Sequence, residues 1–171
     1  MQKLKDFERN FLNESIQYIP RKNGEKSVVQ LINSDGKVKN SLCYTKITPF
    51  LWGMLFERIV GLWYEKNGYQ VFYNGINMGV MDGGIDLICR REQEQTCYVQ
   101  CKSGLKKIGK QSIETILYNG GNYIAKVEKE NCKFVLFLEN ENVVSAYNKK
   151  RFSHWNKMQS KVRLEIQYHT W

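Results

Sequence analysis

Proline and histidine are scarce in this chain, with two of each in 171 residues. The histidines, His154 and His169, have no spacing that pairs them with another ligand or catalytic group, so both read as structural or surface residues. None of the five cysteines (Cys43, Cys89, Cys97, Cys101, Cys132) stands in a C-x-x-C pair, which leaves a structural zinc site unsupported. Their odd number argues against a disulfide framework. They read as reduced and mostly buried small hydrophobes. No run of 18 apolar residues occurs, so no membrane-crossing helix is implied. The first residues, MQKLKDFERNFLNESIQ, mix charges throughout and lack the apolar centre of a signal peptide. A cytoplasmic protein is expected. Internal repeats and low-complexity segments are absent.

What is present suits one compact domain with a small extension. Hydrophobic residues make up 42% and charged residues 25%, enough for a real core and too apolar for disorder. The aromatic share of 13% can fill that core and leave some rings on a binding surface. Lys and Arg number 26 against 17 Asp and Glu, a net charge of +9. Such a field favours polyanionic partners, either nucleic acid or an acidic membrane surface.

Pro20 and Pro49 divide the chain. Residues 1–19 read as a short amphipathic helix, with Leu4, Phe7, Phe11, Leu12 and Ile16 near a 3.6-residue period. Residues 27–47 look extended, as two runs around the turn signal Asn33-Ser34-Asp35-Gly36, the second ending at Ile47. Thr48 then suits an N-cap and Pro49 the first helical position, where its missing N–H has no helical partner. The helix FLWGMLFERIVGLWYEK stops at Asn67-Gly68. Its apolar surface is broad enough to be covered on more than one side.

Strand 69–73, the glycine-rich segment GINMGVMDGG, strand 85–89, the loop RREQEQ and strand 96–102 follow. A helix is expected over roughly 109–128. The nearly all-apolar run 133–138 reads as a buried strand. A short helix between 141 and 160 and a last strand, VRLEIQYH, complete the order. Three strands in a meander, then a helical crossover to a parallel fourth strand, give an α/β fold around one mixed sheet flanked by helices.

Side chains alternate between the faces of a strand. Tyr98, Gln100 and Lys102 therefore share one face, and Cys97, Val99 and Cys101 the other. A hairpin centred near Gln93 sets Asp86 across from Gln100, with Lys102 as its diagonal neighbour. Opposed Cβ atoms lie about 5 Å apart. An acid, an amide oxygen and an ammonium then converge, at a desolvation cost that simple packing does not explain. A polar pair on a solvent-facing strand is the plain alternative. Glu57, on the preceding helix, has Gly53 and Gly61 at i−4 and i+4. Glycine in a helix interior costs about 1 kcal/mol against alanine. Two of them around an acid suggest the close approach of another segment, although Glu57 facing water fits as well. Asp82-Gly83-Gly84 reads as a tight turn that launches Asp86 into its strand.

With the helix glutamate, the stretch NGYQVFYNGINMGVMDGGIDLIC followed by CYVQCK resembles the catalytic region of Mrr-type restriction endonucleases, within the PD-(D/E)XK nuclease superfamily. The matching features are the "GY-x-V" strand, "D-G-G-I-D-L", and "V-Q-C-K" after a hairpin loop. They cover residues 50–138, and their order and strand placement agree together. The resemblance implies a restriction-endonuclease-like core (αβββαβ), a nuclease domain over 48–171, and an extension over 1–47 built from a helix and a hairpin. It also implies a metal-dependent DNA endonuclease acting in restriction or phage defence, with Mg²⁺ as cofactor and Mn²⁺ as a substitute.

Under that resemblance Asp86 is similar to the metal-binding aspartate. Gln100 stands where most members have Glu or Asp. Glu57 resembles the helix glutamate that helps hold metal, and the backbone carbonyl of Cys101 is a further ligand. Lys102 resembles the lysine that positions or activates the attacking water. Lys106, Lys107, Lys110 and Gln111 follow the catalytic strand, where phosphate contacts would be salt-sensitive and independent of sequence. A solvated charge run is the alternative for them. DNA is the expected partner, with a homodimer for cutting both strands and no membrane or small-molecule cofactor. Two other functions stay open: a structure-specific repair or junction nuclease of the same fold, and a non-catalytic DNA-binding module.

Overall fold

A computed structural model describes residues 7, 10–11, 13–19, 27–79, 82–104, 106–127, 132–158 and 162–169. Three strands, β1 (Ser15–Ile19), β2 (Val28–Ile32) and β3 (Val38–Cys43), form a small antiparallel sheet in that order. Helix α1 (Pro49–Lys66) leads into β4 (Gln70–Tyr73), the short helix α2 (Asn74–Met78), β5 (Leu87–Arg90) and β6 (Thr96–Lys102). Then come α3 (Lys110–Val127), β7 (Cys132–Leu138), α4 (Ala146–Met158) and β8 (Val162–Tyr168). The second sheet runs β4-β5-β6-β7-β8. Its first pairings are antiparallel, while β6–β7 and β7–β8 are parallel. The α-β-β-β-α-β order and the mixed sheet agree with the expectation. Among the described residues, no helix is long and apolar enough to cross a membrane.

Alternation along the strands assigns the two faces of the large sheet. Val135 and Phe137 of β7 join Cys97, Val99 and Cys101 of β6 against Phe56, Val60 and Tyr64 of α1. Phe134, Leu136 and Leu138 join Tyr98 against Ile113, Ile116 and Ile124 of α3, with Phe152 of α4. α1 also has a second apolar side. Its Leu51, Trp52, Leu55 and Ile59 pack on Val29, Leu31 and Leu42 of the small sheet. The helix therefore lies between two sheets, as its broad apolar surface requires. Leu55, Phe56 and Val60 are fully buried, each contributing about 1.5–3 kcal/mol.

Four local expectations need correction. Phe7 and Asn10 are helical, but Ser15–Ile19 is a strand rather than the end of a helix. Pairing of Ile16 with Leu31 and Tyr18 with Val29 gives that segment a sheet partner, which outweighs local periodicity. Phe11, Asn13 and Glu14 lie in turn and bend, and the expected helix otherwise falls on residues 1–6, 8, 9 and 12, outside the described residues. The second extended run ends at Cys43, not Ile47, because Tyr44–Lys46 forms a 3-10 turn. The strand expected from Ile85 starts at Leu87, since Ile85 and Asp86 complete the turn before it. Finally, the glycine-rich segment contains α2.

None of the five cysteines forms a disulfide, and all but Cys43 are buried, as expected. His169 packs on Phe56 and Phe137, a structural role.

Candidate active site

Helix α1 is capped where the sequence indicates. Thr48 Oγ1 accepts a hydrogen bond from Leu51 N at 3.2 Å, and Asn67 ends the helix before Gly68 at φ +82°. This fixes the helix against β4 and aims Glu57 at the start of β5. Gly61 supports the fit, because a Cβ there would overlap the Tyr73 ring. Gly53 has no comparable constraint, with Ser103 Oγ 3.9 Å from its Cβ position.

The approach to Asp86 is held by hydrogen bonds. Buried Asn74 donates from Nδ2 to Asp82 O at 3.0 Å and to Ile85 O at 2.7 Å. Asp82 Oδ1 accepts from Gly84 N at 2.6 Å, closing the turn in which Gly83 and Gly84 have φ of +67° and +80°. Asp86 is then clipped to β6. Its N–H donates to Val99 O at 2.8 Å, and its Oδ2 accepts from Cys101 N at 2.6 Å. The pairs Leu87–Val99, Ile88–Tyr98 and Cys89–Cys97 set the register that places Asp86 by Gln100.

Gly75 brings the second carboxylate in. Its N–H donates to Asp86 O at 2.8 Å. A Cβ added there would stand 2.9 Å from Glu57 Oε2 and 3.1 Å from Asp86 Oδ1. The missing side chain thus leaves a cradle bordered by two carboxylates. Asp86 is 7% exposed and Gln100 8%. Glu57 Oε2 and Gln100 Oε1 are both buried and accept no hydrogen bond. Buried polar atoms are seldom left so, because each loses its water without gaining a partner.

The electrostatics follow from that geometry. Burial pushes the Glu57 carboxyl up to about 8, Asp86 and Asp82 add to the rise, and Lys102 opposes it. Asp86 is pushed up to about 6, chiefly by burial, with the Cys101 amide and Lys102 working against the rise. Acids crowded out of water hold their protons unless positive charge arrives.

The residues expected to converge therefore divide as follows. Glu57 and Asp86 meet where the start of β5 adjoins the end of β6, Gln100 stands in register with Asp86, and Lys102 is close enough to act on both carboxyls. Cys101 contributes its backbone to Asp86, while its thiol faces the apolar α1 side. Tyr98, expected beside Gln100 on the same face, is 1% exposed and belongs to the core under α3. Lys106 and Lys107 line a cavity of about 460 Å³ together with Lys102. Lys110 and Gln111 are exposed on the first turn of α3 outside that lining, and Lys110 Nζ lies 4.0 Å from Glu114.

Two contributors escape the sequence reading, and a third, Asp82, is read only for its turn. Asp82 has a hint in its Asp-Gly-Gly turn, but its field on both carboxyls depends on the folded loop. Gly75 has only its residue type as a signal. Glu139 has none. Its Oε2 accepts from Trp52 Nε1 at 2.9 Å and from Gly104 N, and its own N–H donates to Lys102 O at 3.1 Å. It thereby holds the turn that follows Lys102.

Among the described residues, no group of three or more His, Cys, Asp and Glu is placed to hold a metal ion. The donors gathered here are of another composition, two carboxylates and an amide oxygen. Comparison with curated proteins and with solved structures returns no match. The family model for the Mrr catalytic domain, described as restriction endonuclease, matches residues 52–142. That span is just over half of the chain and contains the helix glutamate, the hairpin strands and the crossover to β7. The chain belongs to this restriction endonuclease family: it has the restriction-endonuclease-like fold and is a nuclease, with DNA as its substrate.

Proposed function

We propose that the protein is a divalent-metal-dependent DNA endonuclease that hydrolyses phosphodiester bonds in restriction or phage defence. The observation that carries this reading is the buried, unpartnered Glu57 Oε2 facing Asp86 Oδ1 across the cradle at Gly75, with a second buried, unpartnered oxygen, Gln100 Oε1, on the strand paired with β5. Oxygen donors of this kind suit Mg²⁺, with Mn²⁺ as a substitute. Glu57, Asp86 and Gln100 would hold the ion, together with the Cys101 carbonyl. Bound there, a divalent cation supplies neutralising charge for the phosphate and acidifies water.

The chain's own groups supply the rest. The Cys101 amide fixes the Asp86 carboxylate in one orientation through Oδ2, which leaves Oδ1 facing the cradle. Lys102 presents an ammonium at the cavity edge, where it attracts the substrate phosphate and offsets charge developing on it. Glu139 holds the Lys102–Gly104 backbone, so the ammonium starts from a fixed base. Gln100 contributes a neutral oxygen, so the site carries one negative charge fewer than it would with Glu. Lys106, Lys107, Lys110 and Gln111 serve the DNA backbone on either side. Residues 48–171 form the nuclease unit and 1–47 its extension. Breaking both strands takes two such sites, so the working form is a homodimer.

Plasmid cleavage with Mg²⁺ or Mn²⁺ tests the reading, on methylated and unmethylated DNA. Wild type should cut, and Asp86→Ala and Lys102→Ala should not. Equal cutting by all three proteins would overturn the site assignment.

A further inference from the structure

Residues three and four apart share a helix face. On α3, Ser112, Thr115 and Ile116 line the cavity of about 460 Å³ that contains Lys102. Continuing along the same face, Asn119, Asn122, Tyr123 and Lys126 line a second cavity of about 510 Å³, closed on its far side by Asp82, Gly83 and Gly84. Each cavity takes one lining residue from the neighbourhood of the active site. Lys102 belongs to the first lining and Asp82 to the second. The second cavity also reaches Gln100: a Cβ on Gly84 would stand 3.2 Å from Asn119 Cβ and 3.8 Å from Gln100 Nε2.

Apart from the buried Ile116, this face is polar. From Ser112 to Lys126 it carries hydroxyls, amides, one tyrosine and a terminal lysine, and no acid. The only acid of α3, Glu114, is turned to Arg151 of α4, 2.8 Å away. Fourteen residues of helix rise span about 21 Å. A DNA strand advances about 3.4 Å per nucleotide along its axis, so the face matches roughly six nucleotides in length. Asn122 and Lys126 are exposed, and no side-chain hydrogen bond or ion pair joins either to another of the described residues.

Building on the nuclease reading, we infer that the α3 face from Ser112 to Lys126 is the channel for the cleaved strand. Lys126 contacts a phosphate at one end, and Asn119 and Asn122 touch base edges next to the cut. Carboxamide side chains suit that role because they donate and accept toward a single base. Cut-site preference then resides on α3, close to the chemistry.

The test compares wild type with Asn122→Ala and Lys126→Ala, both exposed positions, and with Lys66→Ala at the end of α1 as a control. Binding of a fluorescent mixed-sequence duplex is followed across salt concentrations in EDTA, and cut positions are mapped with Mg²⁺. Lys126→Ala should bind all sequences several-fold more weakly and lower the salt slope by about one. Asn122→Ala should redistribute the cuts, with changes from several-fold to about a hundredfold at the affected base. Lys66→Ala should match wild type. If wild type cuts but Asn122→Ala and Lys126→Ala share its slope and cut pattern, the channel is wrong and the nuclease reading stands. If wild type neither binds nor cuts DNA, the nuclease reading fails and takes the channel with it.

Discussion

Two glutamates on α1 meet opposite fates two turns apart. Glu65 is neutralised locally. Its Oε1 accepts from Arg58 at 2.8 Å and from the Tyr73 hydroxyl at 2.7 Å, and Arg58 also bonds Tyr73. Glu57 faces Asp86 and Asp82 instead, with Oε2 buried and unpartnered. The same helix thus satisfies one acid from its own surroundings and leaves the other short of positive charge. A buried acid without a partner is costly. On the proposed reading, the cost is met by the cation that Glu57 would share with Asp86.

The sharpest way to break this comparison is to neutralise each acid in turn. Glu57→Gln should lower Mg²⁺-dependent plasmid cleavage by about two orders of magnitude, the scale of losing a charge-stabilising group. Glu65→Gln should leave cleavage near wild type and lower stability by about 1 kcal/mol in urea unfolding, since Glu65 is partly exposed. Equal activity losses in the two variants would erase the distinction.

A smaller effect is expected from filling the cradle. Gly75→Ala puts a methyl group between Glu57 Oε2 and Asp86 Oδ1. Mn²⁺ affinity, followed by electron paramagnetic resonance, should fall about 10- to 100-fold, the range seen when the groups around a metal site are disturbed. Far-UV circular dichroism should stay unchanged. In the other direction, Gln100→Glu adds a negative oxygen and should tighten Mn²⁺ binding in the same titration. Weaker binding would show that Gln100 faces away from the ion.

These three positions differ in how far the sequence exposed them. Gln100 opposite Asp86 was legible because strand alternation and a hairpin centred near Gln93 leave one register. Gln93 sits in that loop with φ +62°, and the observed pairs follow the same register. The Thr48 cap, the Asn67-Gly68 stop and the apolar run of β7 were readable for similarly local reasons. Gly75 was not, because its helix α2 spans five residues and includes a poor helix former. Its glycine answers to Glu57 and Asp86, which are distant in sequence. β1 was misread for the same kind of reason, since Ile16 and Tyr18 acquire their strand character from β2. Glu139 joins Trp52, Gly104 and Lys102 across the fold, a convergence that no spacing encodes.

A separate effect concerns the metal-free protein and pH. Glu57 has its folded pKa raised from 4.5 to about 8. Its ionisation therefore opposes folding: the penalty is absent below about pH 4.5 and complete once pH passes about 8. The melting temperature of Glu57→Gln, relative to wild type in EDTA, should rise steadily across that window. A difference that stays flat with pH would mean that Glu57 is solvated.

The account rests on Glu57 and Asp86 forming a cation-holding pair, and a direct Mn²⁺ titration tests that most simply. Wild type and Glu65→Gln should bind the ion with the same affinity, and Glu57→Gln and Asp86→Asn should each bind it at least tenfold more weakly. Identical binding by all four proteins, or none by wild type, would contradict it.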